Sequence, residues 1–275
     1  MNLLGNNETV LKKITWKQLF AMMTSIVIVA LMITAIPGVF GKNIYVGFAP
    51  AKYVQESRAQ DLITLILGVP LLGMALFGVL KERTWAYPLC VGVLAYELYV
   101  YLIYTLGAIY NPLFPFYVLI TGMCIYSMIA ILSKLDKNDF QNCVNRSMPR
   151  RWIAFFFLAL VIVFAFVWIS QVAASIQSGI ADSGHFIFVI DLAVVLPAFA
   201  IAAVHLLQKT GLGDVLAGML LIKFDSLCIS ISLGQLFRAM NQISVESGLL
   251  FIFIPFGLIS LILTGLYFIN LKIKE

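Results

Sequence analysis

Six side chains in this strongly apolar chain could do chemistry where apolar residues surround them. Glu97, Tyr101 and Tyr104 lie in one long apolar run, Asp191 in a second, and Lys223 and Asp225 in a third. An ionisable group inside a membrane costs about 2.5–3.5 kcal/mol on insertion scales, so each of these is a site candidate. Carboxylates and an ammonium at such depth can exchange a proton or hold a charged solute, and interior tyrosine hydroxyls can line a polar path. On a helix Glu97, Tyr101, Tyr104 and Cys90 share a face, while Lys223 and Asp225 point to different sides. From Lys223 the steps also align Ser226, Ser230 and Gly234, a small-residue seam of the kind that lets helices approach closely. Asp225 stands about 200° round with Gly218 and Ser232. Small or polar residues on both faces predict that this helix is enclosed by others.

Depth arithmetic predicts a pair. Glu97 stands 12 residues beyond position 85 and Lys223 stands 10 beyond position 213, about 18 and 15 Å into helices that run the same way. Pairing is the least costly way to hold both charges in hydrocarbon, so Glu97 and Lys223 are expected to meet near the midplane. Asp61 and His205 fall near run ends, within reach of water or headgroups.

The elements that must position these groups follow from composition. Of 275 residues, 62% are hydrophobic and 11% charged, and the mean hydropathy is +1.00. A soluble domain carries about 25% charged residues, so a soluble enzyme, a nucleic-acid-binding domain and a disordered chain are excluded. Eight apolar runs are long enough to cross a ~30 Å hydrocarbon core: 19–40, 61–80, 85–110, 113–133, 152–174, 187–207, 213–236 and 248–270. Only helices or closed barrels satisfy the backbone in lipid, and these runs show no two-residue alternation. The predicted fold is an all-α transmembrane bundle of about eight spans forming one domain, with seven as the alternative. No internal repeat is evident.

Orientation follows from the basic residues. With the N-terminus inside, the inner segments hold 13 Lys and Arg (Lys12, Lys13, Lys17, Lys81, Arg83, Lys134, Lys137, Arg146, Arg150, Arg151, Lys209, Lys272, Lys274) and the outer ones 4 (Lys42, Lys52, Arg58, Arg238). Both termini are therefore expected in the cytoplasm, where the triplets Asn7-Glu8-Thr9 and Asn145-Arg146-Ser147 would be silent as glycosylation sites. The first apolar run, 19–40, is too long for a signal peptide and reads as a retained span. The outer segment 41–60 could hold a short interfacial helix starting near Pro50. Pro197 is expected to kink its span midway, and the second span carries Pro70, a residue common in transmembrane helices.

Enzyme motifs are scarce. The chain has no HExxH, Walker A or GxSxG pattern, and two histidines cannot ligate a pair of haems. Phe188-Val189-Ile190-Asp191-Leu192 with Gly211-Leu212-Gly213-Asp214 resembles the catalytic segments of presenilin-type intramembrane aspartyl proteases. The helix between them rises about 24 Å, too far for an aspartyl dyad. Lys223 with a carboxylate looks superficially like a retinal site, but a further span follows it and the characteristic upstream aspartate is absent. No cofactor, metal or paired-cysteine site is expected.

Three stretches carry a broader resemblance: Arg58-Ala59-Gln60-Asp61-Leu62 leading to Gly68-Val69-Pro70, Tyr110-Asn111-Pro112-Leu113-Phe114, and Asp191 through Pro197. With them the chain resembles a family of bacterial polytopic membrane proteins to which no activity is attached. The resemblance implies an eight-span bundle in the bacterial cytoplasmic membrane and no substrate. The expected partners are the lipid bilayer and a small solute or ion, with a homo-oligomer left open and no nucleic acid. The expected role is binding or moving a small solute or proton through a polar centre. The alternative is a structural or assembly subunit whose buried charges only specify packing.

Overall fold

A computed structural model describes residues 15–41, 44–48, 51–107, 109–180 and 184–272. Lys12, Lys13, Lys42, Lys274, the triplet at Asn7 and Pro50 lie outside the described residues. The described chain forms eight long apolar helices, here spans 1 to 8: Trp16–Phe40, Tyr53–Leu80, Ala86–Leu106, Phe114–Lys134, Arg150–Ser178, His185–Leu207, Gly211–Met240 and Ser247–Ile269. Each is long enough to cross a bilayer. Outward faces carry large apolar side chains, such as Phe166, Phe251 and Ile269, that are more than two-thirds exposed. Lipid is the solvent that suits such a surface. The count of eight agrees with the sequence reading.

The helix ends are set locally. Span 1 starts in a capping box, with Thr15 and Gln18 satisfying each other's backbone N–H groups. Thr210 caps span 7 by accepting from the Gly213 N–H. Span 5 ends on Gly179 at φ 67°, where a residue without Cβ adopts the left-handed turn freely. A separate interfacial helix before span 2 is not what forms. Helix begins at Ala51 and runs unbroken into span 2, because no breaker follows Pro50 until Pro70.

The two prolines do not act as plain kinks. Thr64–Gly68 in span 2 and Asp191–Val195 in span 6 are five-residue π segments, each running straight into an X-Pro step. Val69 N–H bonds the Thr64 carbonyl and Leu196 N–H bonds the Asp191 carbonyl, five residues back rather than four. The extra residue gives room for a proline ring that would otherwise clash one turn earlier.

Spans 3 and 7 form the centre, with 72% of the apolar window buried in each, against 22–44% in the other six. They pack directly on each other. A Cβ on Gly92 would stand 2.7 Å from Ile222, and one on Gly218 would stand 2.6 Å from both Pro88 and the Tyr267 ring. The expected enclosure of span 7 is therefore observed, with spans 2, 3, 6 and 8 around it.

A four-span pattern recurs that sequence inspection missed. Spans 1–4 and 5–8 each contain a π-broken, proline-bearing second helix and a buried third helix. The halves differ in one respect. Spans 1 and 4 pack closely, whereas spans 5 and 8 meet through phenylalanine rings. Phe164 lies 5.2 Å from Phe253 and 6.4 Å from Phe256, and Phe156 lies 6.0 Å from Phe256, centroid to centroid.

Polar clamps hold both ends. At the end carrying the termini, Arg150 grips Asp214 bidentately at 2.7 and 2.8 Å, and Lys272 N–H bonds the Cys143 carbonyl at 2.7 Å. At the far end, buried Arg238 bridges Glu56 of span 2 and Glu246, each at 3.0 Å.

Candidate functional site

A cavity of about 370 Å³ lies between the two halves, lined by spans 2, 3, 5, 6, 7 and 8. Phe48, Tyr53, Glu56 and Leu249 line it at the far end, and Tyr99, Asp191 and Lys223 form its floor. Lys223 stands 12 residues from Gly211 and 17 from Met240, so the floor lies about 18 Å from one end of the span and about 25 Å from the other. The walls between are aromatic and aliphatic, including Phe164, Trp168, Phe199 and Phe224. An apolar cleft with a few convergent polar groups is the usual form of a small-molecule site.

The floor has a specific geometry. Lys223 is 4% exposed, and its ammonium sits 3.9 Å from the Tyr99 ring centroid, a cation–π contact. Among the described residues no hydrogen bond is recorded for its Nζ and no ion pair lies within 4 Å. Asp191 is the carboxylate whose charge acts on it. Asp191 accepts a hydrogen bond from Trp168 Nε1 at 2.9 Å, and the Tyr99 hydroxyl also turns toward it. The π segment that starts at Asp191 aims this carboxylate at the cavity.

The expected Glu97–Lys223 pair does not form. Depth was estimated correctly, but the two side chains leave their helices in different directions. Glu97 faces span 2, where Thr64 Oγ1 donates to it at 3.1 Å. Its Oε1 has no partner and stands where a Cβ on Gly68 would come within 2.1 Å. Glu97 does not line the cavity.

Tyr101 and Tyr104 belong mainly to a packed cluster in the first half. The Tyr101 hydroxyl pairs with Thr34 at 2.6 Å, and Tyr104 donates to the Ser57 carbonyl at 3.1 Å. Their rings meet each other and Tyr117 at 5.2–5.6 Å. Asp61, expected at a wet span end, is instead 1% exposed and accepts from the Tyr45 hydroxyl. Burial, with the Asp61 charge alongside, holds the Tyr45 hydroxyl well above its ordinary pKa, so it stays a donor. Tyr104 also lines the cavity, and so forms part of the partition between the cluster and the open half.

Asp225 faces away from the cavity toward span 8, where Thr264 donates to it at 2.5 Å. Asp214, the second aspartate of the protease-like pair, is fully buried against Arg150, while Asp191 is engaged by Trp168. The dyad geometry is absent. The four cysteines are buried and free, and among the described residues no three His, Cys, Asp or Glu side chains cluster as a metal ion requires.

Of the candidates, Asp191 and Lys223 come together, Tyr104 touches the same cavity, and Glu97, Tyr101 and Asp225 stand apart from it. Sequence inspection missed Trp168, one aromatic among many in its run. Tyr99 lies in the same run as Tyr101 and Tyr104, and nothing in its spacing marks it as the partner of Lys223. The signal for Asp61 was its place on the face of Thr64 and Gly68, outweighed by its apparent position at a span end.

Eight bilayer-length helices, two of them central and buried, define a polytopic membrane protein with a cavity between its halves. No protein-family model matches the chain, and neither a curated protein nor a solved structure matches it.

Proposed function

We propose that the protein binds a small solute in the cavity between its halves and passes it toward Lys223 through the polar bundle centre. One observation carries this reading: a buried ammonium with no hydrogen-bonding partner among the described residues forms the floor of a cavity that extends to the far end. A lone charge at that depth is costly unless another group completes its contacts. The 13-to-4 distribution of basic residues supports a cytoplasmic location for the end carrying the termini, so the cavity faces outward. With the family resemblance, it also supports placement in a bacterial cytoplasmic membrane.

The second reading, a structural subunit whose charges specify packing, fits the first half, where Glu97, Asp61 and the tyrosines are enclosed. It gives no account of the Lys223 ammonium or of the space above it.

The test uses Ser230→Cys, a cavity-lining position, with the four native cysteines replaced by alanine. A membrane-impermeant anionic thiol reagent should label this site in intact cells faster than its cationic analogue. Lys223→Met should abolish that preference. A folded Ser230→Cys variant whose new thiol resists both reagents would contradict the reading.

A further inference from the structure

The cavity has one cation, Lys223, in a lining that is mostly apolar, with Asp191, Ser230 and, on span 2, Glu56, Ser57 and Gln60 as its other non-aromatic polar side chains. Lys223 brings three N–H donors with no acceptor within hydrogen-bonding distance among the described residues, while Asp191 already receives Trp168 and faces Tyr99. The unmet need is for an acceptor, and a negatively charged one satisfies it best. Above the floor the lining is chiefly aromatic and aliphatic, with Glu56 near the far end. A sugar or an inorganic anion would leave its own polar groups, or the apolar walls, without complementary contacts.

The side wall supplies the second observation. Spans 5 and 8 touch through Phe156, Phe164, Phe253 and Phe256. Among the described residues no hydrogen bond or ion pair joins the two spans. The equivalent spans 1 and 4 pack closely. A seam held by ring contacts and no polar bond is the weakest part of the wall, and spans 5 and 8 present exposed Phe251, Leu258 and Ile162 outward.

We propose that the occupant is a carboxylate-bearing apolar molecule that enters sideways from the bilayer through the phenylalanine seam and places its carboxylate on Lys223. The proposal rests on the reading that the cavity binds a solute, and adds its class and its route. A long-chain fatty acid in the membrane and a short aromatic acid in water share this head chemistry; the seam favours the membrane source.

Trp168 lines the cavity and reports on it. With Trp16, Trp85 and Trp152 replaced by phenylalanine, the protein is reconstituted in phosphatidylcholine nanodiscs. A fatty acid spin-labelled in mid-chain should quench Trp168 saturably. Unlabelled fatty acid should displace it and the methyl ester should not, and Lys223→Met should weaken binding about tenfold or more. A second variant, with the four native cysteines replaced by alanine, carries Phe164→Cys with Phe253→Cys, bridged by a short bis-maleimide. Bridging should block quenching by the fatty acid and spare quenching by a water-soluble brominated phenylpropionate. If only the phenylpropionate binds, or if bridging changes nothing, sideways entry is overturned while the cavity reading stands. If quenching is non-saturable for both acids and identical in Lys223→Met, the occupant class and the cavity reading both fail.

Discussion

Thr64 and Asp191 occupy matching places in the two halves of the bundle. Each opens a five-residue π segment ahead of an X-Pro step. Each also faces a charged residue at mid-depth on a central span: Glu97 lies 11 residues after Ala86, and Lys223 lies 12 after Gly211. Thr64 hydrogen-bonds Glu97 at 3.1 Å, and Asp191 acts on Lys223 through its charge. The matching positions thus carry an acidic and a basic residue. Around Glu97 the half is closed by tyrosines and by the packing of spans 1 and 4. Around Lys223 it is left open.

If Asp191 is the electrostatic partner of Lys223, a double-mutant cycle with Asp191→Asn and Lys223→Met should show a coupling of about 0.5–3 kcal/mol. The cycle pairing Glu97→Gln with Lys223→Met should be additive. Equilibrium unfolding in detergent reads both. Additivity in the first cycle and coupling in the second would restore the pairing expected from depth alone.

Close approach of the central spans makes a steric prediction. Gly218→Ala places a Cβ 2.6 Å from both Pro88 and the Tyr267 ring, neither able to rotate away. The variant should lose about 1–3 kcal/mol through overpacking. Gly73→Ala meets nothing within 4 Å and should leave stability unchanged. Equal thermal midpoints for the two variants would refute the packing of spans 3, 7 and 8 at this point.

The fold was legible because its cause is simple: long apolar runs must become helices, and loop charge orders them. The central place of span 7 was legible from Ser226, Ser230 and Gly234 beside Asp225, since a helix polar on two faces cannot front lipid. What failed was azimuth. Glu97 and Lys223 lie at similar depths, yet sequence gives no rotation of one helix against another, and Gly68 opens the space that draws Glu97 to span 2. Asp61 failed for a different reason, because span 2 begins a full two turns earlier than its apolar run. The cavity was illegible altogether. It is enclosed by six spans whose relative rotation and spacing the sequence does not give, and Phe164 and Phe253 in its wall look like any other core residues.

The Arg150–Asp214 clamp should behave as a buried pair. Asp214 is wholly buried and Arg150 largely so, so Arg150→Met leaves a lone carboxylate and should cost about 3–5 kcal/mol. Adding Asp214→Asn should recover a substantial part of that loss. A double variant as unstable as the sum of the two single variants would show that the bidentate contact contributes no coupling.

Topology is open to a direct check. Reporter fusions after Lys272 and before Trp16 should both be active in the cytoplasm, and one inserted at Gln242 should be active only outside. The opposite pattern would turn the cavity toward the cytoplasm.

The most direct measurement is an experimental density map of the protein in lipid nanodiscs, recorded with and without added fatty acid. The account predicts non-protein density above Tyr99 and beside Trp168, its polar end within hydrogen-bonding distance of Lys223 Nζ, present only with the ligand. A cavity closed by side chains, with Lys223 paired directly to Asp191 or Glu97 in both maps, would contradict it.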